Sequence, residues 1–415
     1  MYRLIYCLLL GITVPAHLHA EAQQEAPGPL TLAAALQLAE AGNPTLSAAR
    51  HELAAQGGAL QQAQALPNPE LQTVVEDTRR ATRSTTVQLN QLIELGGKRG
   101  ARATLALRGQ DLAQAALATQ AADTRAAVTT AFVDVLAAQE GLRLADSAQA
   151  LAARSSEITA RRVAAGKASP VAATRAKVLE ASVRLEGNLA RGNLTQARQR
   201  LAALWGAGTP RFSHADGRLD VLPPLPSPAE LAARLDASPG VRQARSHLAQ
   251  RQAMLDVEQR RATPDVTVSI GMKRSEELGR NQAIIGLALP LPLFDRNAGN
   301  KLDALRRSDK AGDELAATQV QLQAALAQAR ERLATARLDV DTLQNEIVPG
   351  AQSAWDAASK GFEFGKFAFL DVLDAQRTLL QAKNQTLRAL TEAHHAAAEL
   401  ERLLGAPMTS QESLP

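Results

Sequence analysis

The sequence predicts a mixed α/β membrane protein in which short amphipathic strands alternate with very long helices, the whole arrangement written twice along one chain. Three observations predict it. Landmark motifs recur at a nearly constant offset. Two segments per repeat alternate apolar and polar residues with period two. Each strand pair is followed by a stretch of nearly 70 residues with helical periodicity and almost no proline.

The duplication is read from matched landmarks. Asn43-Pro44 is answered by Ser238-Pro239, Pro67 by Pro264, Leu95 by Leu293, Gly166-Lys167 by Gly365-Lys366, and Leu204-Trp205-Gly206 by Leu403-Leu404-Gly405. The offsets drift only from 195 to 199 residues. Residues 23–209 and 229–405 are therefore expected to be two copies of one unit, joined by the Pro-rich connector 210–228 and followed by a flexible tail, 406–415.

Ahead of the first unit, residues 1–22 read as a signal peptide. Arg3 precedes the short apolar run from Leu4 to Val14, and Ala20-Glu21-Ala22 offers a small-x-small cleavage site. The run is too short for a bilayer anchor. Cys7 and both tyrosines, Tyr2 and Tyr6, belong to this segment, so the exported chain is expected to carry no disulfide and no lipid. No later stretch reaches 18 consecutive apolar residues, which leaves amphipathic strands as the route into a membrane.

Within each unit a helix (about 45–65, then about 239–261) runs up to a proline. Two strands follow. Leu71, Thr73 and Val75 face one way and Gln72 and Glu76 the other; Val87, Leu89, Ile93 and Leu95 then alternate with Thr86, Gln88, Asn90 and Glu94. In the second unit Val266, Val268, Ile270 and Met272 alternate with Thr267, Ser269, Gly271 and Lys273, and Ile285, Leu287, Leu289 and Leu291 with Gly286, Ala288 and Pro290. At roughly 8–11 residues these segments have the length of tilted membrane strands. Their connecting loops, 76–84 and 273–281, are strongly polar.

Long helices come next, from about Lys98 to Ala165 and from about Asn297 to Phe364, interrupted by proline only at Pro349. At 1.5 Å per residue each would reach roughly 100 Å. Gly166 and Gly365 occupy the position of a left-handed cap, after which a second helix returns to Gly206 or Gly405. Four strands cannot close a barrel and bare strand edges are not tolerated in lipid, so the chain must lend its strands to a shared barrel.

Composition excludes other classes. Aromatic residues are only 3%, too few for several globular cores, and a net charge of +4 with both signs interspersed reads as solvated helix surface, not a nucleic-acid footprint. Nucleophile–base triads, phosphate-binding glycine loops and metalloprotease motifs are missing, so the chain does not read as an enzyme and no cofactor is expected. His51, His214, His247, His394 and His395 form no ligand cluster and read as surface or packing residues; Trp205 and Trp355 read as packing helix ends.

The motifs LPNPEL (66–71), QLIELGGKRGAR (91–102), LPLPLFDRNAGN (289–300) and FGKFAFLDVLDAQRTLLQAKN (364–384), in this order of elements, resemble the TolC-type outer membrane factors over almost the whole exported chain. LPNPEL with ELGGKR is most similar to the CzcC branch, which serves cobalt-zinc-cadmium efflux. The resemblance implies a homotrimer with a 12-stranded barrel in outer-membrane lipid, a periplasmic α-helical barrel, and partnership with a periplasmic adaptor (membrane fusion protein) and an inner-membrane pump of the RND type. Against that pattern, only Phe294 lies near a strand end, so an aromatic belt is nearly absent, and the first tip, 164–172, matches less well than the second.

Two candidate sites follow. Asp371 and Asp374 share one face of the helix leaving the Gly365 turn, and the resemblance implies that they form the periplasmic aperture; the plain alternative is a solvated acidic face or a complement to the helix N-terminus. The equivalent residues of the first unit, Ala172 and Arg175, are not acidic. By resemblance, Gly166, Lys167, Val171, Gly365, Lys366 and Leu370 are the tips that meet the adaptor. The functions in competition are an exit duct for metal cations, a duct for drugs or type I secretion, and a periplasmic coiled-coil scaffold without a pore. The alternating strands oppose the scaffold, which needs no lipid-facing stripe.

Overall fold

Asparagine, serine and proline set the start of each repeat in the computed structural model, which describes residues 27–407. The expected signal peptide, its cleavage site and residues 408–415 of the expected tail lie outside the described residues. In chain order, β1 (Pro29–Thr31) leads into α1 (Leu32–Gly42) and α2 (Pro44–Gln64). The strand pair β2 (Glu70–Glu76) and β3 (Ser84–Ile93) follows, then α3 (Lys98–Ala164) and α4 (Pro170–Ala203). After β4 (His214–Asp216) and α5 (Pro228–Leu235) the second repeat runs through α6 (Pro239–Arg261), β5 (Val266–Ser275), β6 (Arg280–Ala288), α7 (Ala298–Thr342), α8 (Val348–Glu363) and α9 (Phe369–Leu404).

The matched landmarks of the two repeats meet in space. Asn43 caps α2 by accepting from the Leu46 amide at 2.9 Å, with Pro44 in the first helical position, and its Nδ2 donates to the Leu204 carbonyl at 2.7 Å. The start of the repeat is thus tied to the end of its hairpin, where Gly206 adopts φ +77°. In the second repeat Pro239 lies against Gly405, φ +72°, so closely that a Cβ there would come 2.4 Å from the Pro239 ring. Ser238, fully buried, is too short to repeat the Asn43 contact, and among the described residues its hydroxyl has no hydrogen-bond partner.

Around these closures sit two apolar cores. One gathers Phe132, Val135, Leu201, Trp205, Phe212 and Ala215 where α1 and β4 cover the middle of α3 and the end of α4. The other packs Leu231 of α5 against Leu333, Leu400 and neighbouring alanines of α7 and α9. The stretch 210–228 is more than a connector: its strand β4 pairs in parallel with β1, and the side-chain amide of Gln139 continues the ladder, donating to the Ala215 carbonyl (3.0 Å) and accepting from its amide (2.7 Å). The short elements β1, α1, β4 and α5 carry too little periodicity to stand out in the sequence.

The four strands form one antiparallel sheet in the order β2-β3-β5-β6. Register lines up whole rows of side chains. Leu71, Leu89, Ile270 and Ile285 form an apolar row, and Thr73, Val87, Met272 and Ala283 the next on the same face. These large side chains stand in the open, Ile285 at 83% and Ile270 at 62% exposure. The opposite face carries Gln72, Gln88, Asn90, Thr86, Ser269 and Gln282, with Gln88 and Asn90 both donating to Gln72 Oε1. Among the described residues β2 and β6 each pair on one side only.

Long helices carry the chain away from the sheet. Gly96 and Gly97, both at positive φ, turn β3 into α3, which runs unbroken for 67 residues, about 100 Å. Its counterpart is interrupted: ahead of Pro349 the ladder widens into a π-turn, Leu343–Ile347, which separates α7 from α8. Trp205 packs at the end of α4 as expected, whereas Trp355 sits mid-helix in α8 beside Ala351 and Leu379.

The two closures differ in tightness, and that difference is measurable. Gly405→Ala introduces an L-residue at positive φ and a clash with Pro239, together roughly 2–4 kcal/mol. Gly206→Ala, with its nearest obstacle at 3.4 Å, carries mainly the backbone strain, about 1 kcal/mol. Thermal unfolding followed by helical circular dichroism should therefore rank Gly405→Ala below Gly206→Ala; the reverse order would contradict the packing described.

Candidate functional site at the helical tips

The ends of the long hairpins farthest from the sheet are built alike. In both, a glycine at positive φ (Gly166, +70°; Gly365, +75°) closes the descending helix. The Gly166 amide donates to the Val163 carbonyl at 3.0 Å and that of Lys167 to Arg162 at 2.8 Å; Gly365 donates to Phe362 at 3.0 Å and Lys366 to Gly361 at 2.7 Å. This pair of nested bonds satisfies carbonyls the helix end would otherwise leave open, and the left-handed residue it needs is why a glycine recurs at both tips. The Gly361 position is further pinned by the Phe367 ring lying directly over it.

The returning helices start differently. Ser169 caps α4, its hydroxyl accepting from the Val171 amide at 3.2 Å, with Pro170 next. At the matching place in α9 stands Ala368, which has no side chain to offer. Asp371 takes over: its carboxylate reaches back to accept from the Ala368 amide at 2.8 Å. One oxygen of Asp371 is therefore engaged in starting the helix, where the N-terminal dipole also favours a negative charge. Asp374 lies one turn on, exposed, and among the described residues its carboxylate makes no hydrogen bond or ion pair.

The two tips are pressed together. Phe362 and Phe369 tilt against each other at 5.6 Å and share a cluster with Val372, Ala358 and Ala176, flanked by Ala172 and Ile158. Ala172, the counterpart of Asp371, is thus a packing residue between repeats, and a carboxylate there would be buried against apolar neighbours. Arg162 of the first tip stacks its guanidinium 4.3 Å from the Phe362 ring centre and donates to the Phe362 carbonyl, fastening the end of α8. Gln376, one turn beyond Val372, is buried, and among the described residues neither of its amide atoms has a hydrogen-bond partner.

What stays outside is a mixed apolar and basic surface. Gly166, Lys167, Gly365 and Lys366 are exposed, as are Val171 and Leu370, which match each other across the repeats. Phe364 and Phe367 extend that apolar surface, and sequence reasoning did not single them out; the signal lay in FGKF, two aromatics flanking a turn in a chain with very few. Arg162, too, carried no mark in the sequence, since its role depends on a partner from the other repeat.

His394 and His395 go to packing and local pairing. His394 is largely buried, its ring within 3.0 Å of the Leu219 carbonyl, and burial holds its pKa below the ordinary 6.5. His395 lies 3.0 Å from Asp134. Among the described residues no group of three His, Cys, Asp or Glu side chains is arranged to hold a metal ion.

The profile of the family described as "Outer membrane efflux protein" matches residues 35–207 and again 232–406. The chain is 50% identical over 382 residues to the cobalt-zinc-cadmium resistance protein CzcC of Cupriavidus metallidurans, covering 92% of this chain and 91% of that protein. Among solved structures it resembles a membrane protein from Pseudomonas aeruginosa (TM-score 0.78, 21% identity, 91% and 90% of the two chains). It also resembles the outer membrane protein VceC from Vibrio cholerae (TM-score 0.75, 20% identity, 91% and 97%). At such identities these structures speak to the fold.

Proposed function

This chain belongs to the outer membrane efflux protein family, and on that premise we propose that three copies form the outer-membrane duct of a tripartite efflux assembly, a passive exit for divalent heavy-metal cations (cobalt, zinc, cadmium). The observation that carries the architecture is the sheet: four strands, one apolar face and two edges paired on one side only. In hydrocarbon each open backbone group costs several kcal/mol, so the edge β2 must meet the β6 of another copy. Three copies supply twelve strands, within the range of known barrels. The long helices then continue the duct into the periplasm. On this reading residues 1–22 are removed on export, and residues 23–209 and 229–405 are the two repeats.

The tips serve the partners. Exposed Val171, Leu370, Lys167 and Lys366, presented by the Gly166 and Gly365 turns, form the surface that receives a periplasmic adaptor, which in turn couples to an inner-membrane RND pump. Asp374, with Asp371 beside it, faces the axis of the trimer and lines the periplasmic aperture, where six carboxylates per trimer would draw cations and repel anions. Similarity to a cobalt-zinc-cadmium resistance protein supports the cargo. No residue of the duct is required to select the metal, since selection belongs to the pump.

Two measurements test this. Cross-linking in mild detergent should trap trimers that migrate differently when heated; a stable monomeric barrel would sink the assembly. Cells lacking the protein should lose tolerance to zinc, cadmium or cobalt. Unchanged tolerance to all three, with a fall in drug or dye tolerance, would transfer the duct to drug efflux.

The aperture is read with the double variant Asp371→Asn/Asp374→Asn. It removes six charges per trimer, while the carboxamide introduced at position 371 keeps an oxygen to accept from the Ala368 amide. In planar bilayers the cation preference should drop and block by multivalent cations from the periplasmic side should weaken. If conductance, preference and block are all unchanged, the carboxylates lie on the outside of the tunnel.

A further inference from the structure

The greasy face of the sheet ends in arginine. Following β5 away from the helices, Val268, Ile270 and Met272 are succeeded on the same face by Arg274; following β3, Leu89, Val87 and Thr85 are succeeded by Arg83. Arg274 stands in register with Thr85, and the Arg83 carbonyl accepts from the Glu276 amide at 3.0 Å, so the two arginines are neighbours on one rim. The turn between β2 and β3 adds Arg79 and Arg80, both exposed. Of the four acidic residues nearby, Glu76 and Asp77 are committed elsewhere, while Glu276 and the exposed Glu277 lie in the facing turn. Glu76 points to the polar face and pairs with Lys273 at 2.6 Å; Asp77 accepts from the Arg79 amide and the Thr82 hydroxyl within its own turn. Glu276 approaches Arg274 at 3.5 Å, and among the described residues Arg79, Arg80 and Arg83 enter no ion pair.

We propose that this rim, Arg79, Arg80, Arg83 and Arg274, docks the phosphate groups of the anionic glycolipid of the outer leaflet; the inference rests on the barrel reading above and deepens it. Position argues for it: the rim borders the lipid-facing stripe at the end opposite the helices, where headgroups of the external leaflet lie. Chemistry argues for it as well, because the guanidinium fork binds phosphate through two parallel hydrogen bonds and is weakly hydrated. So does what is missing: among the described residues no aromatic side chain stands at this border to hold the barrel at the interface, Phe294 being at the other end of the strands. Basic side chains facing anionic headgroups supply that hold instead.

The test uses the purified trimer and its heat-induced dissociation, with three added lipids: diphosphoryl lipid A, its dephosphorylated form, and phosphatidylglycerol. Diphosphoryl lipid A should raise the dissociation temperature most. In the variant R79Q/R80Q/R83Q/R274Q that rise should largely vanish, and apparent affinity should fall roughly fivefold per arginine removed. A variant with lysine at the same four positions keeps the charge but loses the paired hydrogen bonds of the guanidinium fork, and should retain only part of the rise. An equal rise in the glutamine variant, an equal response to dephosphorylated lipid A, or a response to phosphatidylglycerol as large as that to lipid A would overturn the assignment. A trimer that forms normally but ignores the lipid overturns the rim alone; a chain that forms no trimer overturns the barrel reading and the rim with it.

Discussion

A backbone amide in hydrocarbon has no water to bond with. Most of what is distinctive in this chain depends on that constraint. It forces the membrane part to be strands whose every N–H and C=O is paired, and it makes a four-stranded sheet with two open edges unacceptable on its own. It also explains why the strands alternate so strictly: once one face meets lipid and the other meets water, a slip of one residue would exchange the two. The rows through Leu71, Leu89, Ile270 and Ile285 and through Gln72 and Gln88 are the two faces of one register.

Outside the membrane the constraint reverses. Water solvates the helices freely, so their stability rests on alanine-lined packing along the hairpins and on two modest apolar cores at mid-length. The few aromatic residues are concentrated at joints: Trp205 and Phe212 in the first core, Phe362 and Phe369 between the tips. Duplication gives both repeats a closure ending in a positive-φ glycine and the same Gly-Lys turns, and the differences between copies are where specialisation shows. Ser169 caps one returning helix, Asp371 the other; Ala172 packs where its counterpart carries charge.

Much of this was legible in the sequence. Period-two alternation is a local signal and located the four sheet strands; proline and glycine located the ends of the long helices, Lys98 and Gly166 within a residue or two. The elements that escaped, β1, α1, β4 and α5, are short, and their meaning lies in contacts such as Gln139 with Ala215 that no local pattern announces. The π-turn ahead of Pro349 escaped for a related reason: proline signals a disturbance but not how the backbone absorbs it. At the tips the sequence singled out both turns and both carboxylates, yet not that one oxygen of Asp371 is occupied by its own helix start, because the missing cap at Ala368 is visible only when the two repeats are compared end by end.

The β3–β5 ladder has a consequence in time. Ser84 pairs with Ser275, so the first strand pair waits for its partner until the entire first hairpin and the opening of the second repeat have emerged. Pairings so distant along the chain form slowly. The helical hairpins, held by nearer contacts, are able to order while the sheet is still incomplete. On the trimer proposed above, the last step, the joining of sheets from different copies, would depend on meeting other copies and not on any further event within one chain.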